Sequence, residues 1–90
     1  MKFDLDYVRT LLRVDDDWDD ERICLLIDSV GKYVETTTGI PEGKQDDIPL
    51  VKVLKGYLVR IWYDGPDKEE YMQRAVDNLI KTLTVIGREV

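Results

Sequence analysis

The chain has 90 residues, 43% of them hydrophobic and 36% charged, with a formal net charge of −6. One domain of this length buries only about 60–65% of the surface that its unfolded chain exposes, so it folds alone with little margin. The negative balance argues against a general nucleic-acid binder, which needs basic surface to displace counterions, and disfavours docking on anionic lipid.

The first predicted element is a short helix over 6–13. Leu5, Val8, Leu11 and Leu12 share a helical face, and either Asp4 or Asp6 can cap it. Val14 leads into an acidic turn of Asp15, Asp16, Asp17, Asp19, Asp20 and Glu21. Asp17 is the expected cap of the next helix, because its side-chain oxygen can accept from the open amides of a first turn. That helix spans about 18–38. Ile23, Leu26, Ile27, Val30, Tyr33 and Val34 recur at offsets that place them on one face. Negative charge at its front suits the positive end of the helix dipole. Gly39 supplies a left-handed cap and Pro41 blocks continuation.

Residues 39–47, GIPEGKQDD, read as a surface loop. A third helix is expected over 48–63, with Pro49 tolerated in its first turn. Leu50, Val51, Leu54, Tyr57, Leu58, Ile61 and Trp62 form a broad stripe, which makes this the most buried helix. Val53 and Val59 lie off that stripe and Tyr63 at its margin, so some of these three are expected at the surface as contact residues. Gly56 weakens the helix by ~1 kcal/mol relative to Ala and reads as a point of close packing. Asp64-Gly65-Pro66 is a turn. Asp67 with Glu70 resembles a capping box for a fourth helix over 67–85, carried by Met72, Ala75, Val76, Leu79, Ile80 and Leu83. Residues 84–90 are expected to be a flexible tail. The predicted fold is all-α: a small four-helix domain, one short helix and three longer ones, with no sheet.

The inventory for chemistry is thin. There is no histidine and a single cysteine, Cys24, so the common zinc sites and the Cys–His and Ser–His–Asp arrangements cannot be built. Cys24 reads as a small packing residue, and one cysteine permits no intrachain disulfide. Asp15, Asp17 and Asp19 match the first spacings of a calcium loop. That pattern then fails, with Asp20 where Gly is needed and Leu26 where Glu is needed. Trp18, Tyr57, Trp62 and Tyr63 could stack bases, but the charge is wrong for a nucleic-acid groove, and core or subunit packing is the better reading. The N-terminal MKFDLDYV lacks the apolar core of a signal peptide, and no stretch approaches the ~18 apolar residues of a membrane span. A soluble, non-enzymatic protein without cofactor or metal is the expectation.

Several segments, taken in order, resemble the small tailed-phage head–tail connector family, also described as head-completion or DNA-packaging adaptor proteins. These are Leu12-Arg13-Val14-Asp15, the acidic stretch Asp16–Glu21, Tyr33-Val34-Glu35 with Thr38-Gly39, and Ile61-Trp62-Tyr63-Asp64-Gly65. The likeness covers about 5–65 well and 66–90 loosely. Many members carry a Pro-containing segment and a final Arg-containing helix where this chain runs on through YMQRAVDNLIKTL. The resemblance implies a structural protein of a phage or prophage, found at the head–tail interface of the virion and assembled in the host cytoplasm. It implies a ring of copies, dodecameric on the portal, that extends the DNA channel. The implied partners are the portal protein, a tail-side stopper or adaptor, and DNA in transit without sequence-specific binding. It brings no catalytic residues. Candidate subunit or portal contacts are Val53, Val59, Tyr63, Pro41, Lys44 and Arg88, with Pro41–Asp47 and Thr84–Val90 as segments that order on assembly. Asp15, Asp16, Asp17, Asp19, Asp20 and Glu21 form a candidate channel wall or surface patch. The competing reading is a small acidic regulator, or DNA mimic, that binds a basic protein.

Overall fold

Asp4 opens the first helix by accepting the Tyr7 amide at 3.0 Å. In the computed structural model, which describes residues 3–65 and 70–89, this helix α1 spans Leu5–Leu12 and closes on Arg13 in the left-handed region. Helix α2 spans Asp20–Thr38 and ends on Gly39, whose φ of 82° needs no side chain to be displaced. Helix α4 spans Pro49–Asp64, with Pro49 in its first turn, and α5 spans Glu70–Gly87. No strand occurs among the described residues, so the expected all-helical class holds.

A fifth, one-turn helix, α3, spans Glu42–Gln45 inside the stretch expected to be a surface loop. Two buried side chains account for it. Ile40 is fully enclosed. Gln45 is also buried, and its Nε2 donates to the Gly31 carbonyl at 2.9 Å and the Ile40 carbonyl at 3.0 Å. The polar composition that suggested a loop hides a glutamine acting as a clamp between α2 and α3. Pro41–Asp47 is thus anchored through Gln45, while its other residues stay at the surface as expected.

Helices α2, α4 and α5 pack on one another, and α1 lies across α2 and α4. Ile23, Val30 and Val34 of α2 meet Leu54 and Leu58 of α4 and Val76 and Leu83 of α5 in one core. Because α4 has neighbours on several sides, Val59 is fully buried although it lies off the main stripe. This corrects its assignment as a surface contact. Lys55 is buried on the same helix, with its Nζ 5.5 Å from the centre of the Phe3 ring. Gly56 faces α1, where a Cβ would stand 3.4 Å from Leu11 Cδ2.

The end of α5 meets the end of α2. A Cβ on Gly87 would fall 1.9 Å from the Thr38 carbonyl oxygen, and the Thr84 hydroxyl donates to the Thr37 carbonyl at 3.4 Å. The segment expected to be a flexible tail is thus helical over residues 84–87 and docked by its glycine. Pro66 of the predicted turn, Asp67 of the predicted capping pair and Val90 lie outside the described residues.

Candidate assembly surface

The acidic turn divides into a structural half and an exposed half. Asp20 takes Arg9 of α1 in a two-point ion pair, with Nε to Oδ1 at 2.7 Å and Nη2 on Oδ2. The pairing raises the Arg9 pKa, the hydrogen bond to Asp20 being the main cause. Asp19, rather than Asp17, is the N-cap of α2, and its side chain makes no cap bond. Its Oδ2 instead accepts the Tyr63 hydroxyl at 2.6 Å, and that hydrogen bond is the first cause of a raised Tyr63 pKa. Arg22 completes the clamp, with its guanidinium 4.7 Å from the Tyr63 ring centre and its Nη2 donating to the Tyr63 carbonyl at 3.2 Å. Tyr63 is therefore tied into its own protomer. Asp15, Asp16, Asp17 and Glu21 remain exposed. Among the described residues, no group of three or more His, Cys, Asp or Glu side chains is arranged to hold a metal ion.

The remaining candidates fall in separate places. Pro41 and Lys44 are exposed on and beside α3. Arg88 is exposed just past Gly87, at the same end of the molecule, because Gly87 packs on Thr38 and Gly39. Val53 is 47% exposed on α4, one turn from Leu50, which is also exposed. Val53 sits in a groove between α1 and α4 with Tyr7, Leu11, Lys52, Gly56, Tyr57 and Arg60. Lys52 lies along the rim, its Nζ 4.3 Å from the Tyr7 ring centre.

Trp18, read from the sequence as a core or subunit-packing residue, lies outside the core, and Leu25, which the sequence reading did not single out, is exposed beside it. Trp18 is 86% exposed and Leu25 65%, and both line one shallow open depression with Asp19, Glu21, Arg22, Cys24 and Asp28. Cys24 is exposed, not a packing residue. Leu25 lies on the side of α2 away from the buried stripe, which its spacing from Ile23, Val30 and Val34 shows, whereas Trp18 sits in the turn before the helix, where periodicity carries no signal. Trp62, in contrast, is half-buried and meets Tyr33 edge-on at 5.4 Å.

These features define an all-helical protomer with apolar anchors on its outside. A family model described as phage gp6-like head-tail connector protein matches residues 3–86. The chain belongs to that family, and its role is that of a structural connector at the head–tail interface of a phage, with portal and tail proteins as the partners that the family implies. The matched range includes α5, the region where the resemblance was loosest. No curated protein and no solved structure matches the chain. Among the described residues, no helix is long and apolar enough to cross a membrane.

Proposed function

We propose that copies of this protein close into a ring beneath the portal, extend the DNA channel and present the surface on which a tail-side stopper or adaptor docks. The observation that carries this reading is membership of the connector family over residues 3–86. Large apolar side chains left outside the core, Trp18, Leu25 and Val53, support it, because exposed apolar area of this kind marks contact sites. The net charge of −6 suits a conduit through which DNA slides, since negative walls do not hold phosphates. A dodecameric ring on the portal is the count that the family resemblance implies.

The test is co-sedimentation with the cognate portal, using the intact chain and a chain cut after Gly87. A cut after Leu83 would remove the turn that docks on α2 and so confuse folding with binding. Binding by the intact chain, with rings seen on the portal by electron microscopy, is the expected result. Equal binding by the cut chain would remove Arg88 from the contact. No binding by a folded intact chain would overturn the reading.

A further inference from the structure

We propose that the shallow depression formed by Trp18, in the turn before α2, and Leu25, on the outer side of α2, receives a segment of a partner protein that carries Lys or Arg around an apolar side chain. The inference rests on the connector reading, which implies portal and tail proteins as partners. It adds where on the protomer one of them docks and with what chemistry.

Trp18 adds nothing to the core, yet it stands in a firmly tied turn. Its amide donates to Asp16 Oδ1 at 3.3 Å, and the Asp20 amide donates to the Asp17 carbonyl at 3.3 Å. The next two residues reach other helices. Asp19 accepts the Tyr63 hydroxyl of α4, and Asp20 pairs with Arg9 of α1. The backbone beneath the indole is therefore held before any partner arrives, and a pre-organised anchor loses less entropy on binding. Leu25 stands beside it, on a helix whose other side supplies Ile23, Val30 and Val34 to the core. A large aromatic side chain exposed in the free protomer is the usual anchor of an interface. The depression is open, so a small molecule would keep much of its surface in water, unlike a ligand in an enclosed pocket. A protein segment covers the rim as well as the floor.

Charge selects among partners. Asp19, Glu21 and Asp28 line the depression against one cation, Arg22. That guanidinium is already seated over the Tyr63 ring and donates to the Tyr63 carbonyl. Glu21 and Asp28 are exposed, as are Asp15, Asp16 and Asp17 immediately before Trp18. Such a rim repels phosphate-bearing partners, whether nucleic acid or anionic lipid. A second copy meeting it with the same face would set carboxylate against carboxylate. Lys and Arg side chains are matched in sign. A guanidinium or ammonium laid on the exposed indole also gains a cation–π contact, and an apolar side chain between the cations covers Leu25.

Cys24 lines the same depression and is exposed, so the natural thiol can carry a maleimide benzophenone. The labelled intact chain is mixed with purified cognate portal, and separately with purified tail-side adaptor, and irradiated. Mass spectrometry then reads the captured segment. A C24S/Q73C chain, with its thiol at an exposed position on α5, is the control. The expected result is capture, from Cys24 and not from the control, of a segment with Lys or Arg flanking an apolar residue. Trp18→Ala and Leu25→Glu, each shown to be folded by circular dichroism, should weaken binding to that partner by about tenfold or more. Asp28→Lys should also weaken it, whereas Asp77→Lys, the same change of charge at an exposed position on α5, should not. The proposal is overturned if the captured segment carries no Lys or Arg, or if the captured chain is a second copy. It is equally overturned if Trp18→Ala and Leu25→Glu both bind as the wild type does, or if Asp28→Lys and Asp77→Lys weaken binding equally. A partner complex that forms while the Cys24 label captures nothing would sink this surface and leave the connector reading standing. A folded intact chain that forms no complex with either protein would overturn the connector reading, and this inference with it.

Discussion

At the scale of single residues, two positions carry effects out of proportion to their size. At Gly87 any side chain would collide with the backbone of α2, and a carbonyl cannot swing aside as a long side chain can. Gly87→Ala is expected to lose about 1–3 kcal/mol, which for a domain of this size lowers the melting temperature by roughly 4–8 °C per kcal/mol. Gly43→Ala is the control. Nothing lies within 4 Å of its added Cβ, and its melting temperature should be unchanged or slightly higher. Tyr63 is the second position. Its hydrogen bond to Asp19 holds the protonated form and raises its pKa above the ordinary tyrosine value. The bond's contribution is therefore complete below the unfolded-state pKa and is lost as pH rises through the higher folded-state pKa. Tyr63→Phe should cost about 1 kcal/mol at neutral pH. The cost should vanish in alkali, and the late-ionising component should disappear from the ultraviolet titration of the five tyrosines.

At the scale of elements, α3 and α4 show how a helix is held by what surrounds it. A four-residue helix has too few internal bonds to persist alone, so α3 depends on Gln45 bonding to Gly31 and Ile40. Gln45→Ala removes the side-chain donor from the Ile40 carbonyl and the second donor from the Gly31 carbonyl, which keeps its bond within α2, a loss of about 1–3 kcal/mol. It should also make residues 41–47 the first site of limited proteolysis, and unchanged protease resistance there would contradict the clamp. In α4, burial is the main cause of a lowered Lys55 pKa, with Asp46 and Glu42 pulling the other way. A lowered folded-state pKa means that the charged lysine opposes folding at neutral pH, and that this opposition fades as pH rises toward the unfolded-state value. Lys55→Met should raise the melting temperature near pH 7, with a margin that narrows toward pH 10. A margin that widened would show that the carboxylates outweigh burial.

At the scale of the molecule, α1, α2, α4 and α5 share one core, so unfolding should be a single cooperative transition. The two tryptophans stand in different surroundings. Trp62 is half-buried against Tyr33, whereas Trp18 stands in solvent. Trp18→Phe should keep the emission shift on urea unfolding, because the remaining reporter, Trp62, is packed against Tyr33. Midpoints by fluorescence and circular dichroism should coincide for this variant. Separate midpoints would mean that α2 and α4 do not unfold as one unit.

The chain by itself determined the helical class, the four main helices to within a few residues, the Gly39 cap and the ordered segments of the connector family, and it narrowed the first cap to Asp4 or Asp6. These depend on local chemistry: the 3.6-residue period, which side chains can accept an open amide, and which residue tolerates a positive φ. Tertiary structure decided where Val59, Gln45, Trp18 and Asp19 ended up. Periodicity says which residues share a face of a helix, not how many of its faces have neighbours. Val59 went inside because α4 is enclosed on several sides, and Trp18 stayed outside because it sits in the turn before α2, where no helix packs over it. Asp19 gave up capping for a hydroxyl 44 residues further along the chain. Such pairings are between groups that only the packed helices bring together, and no spacing in the sequence encodes them.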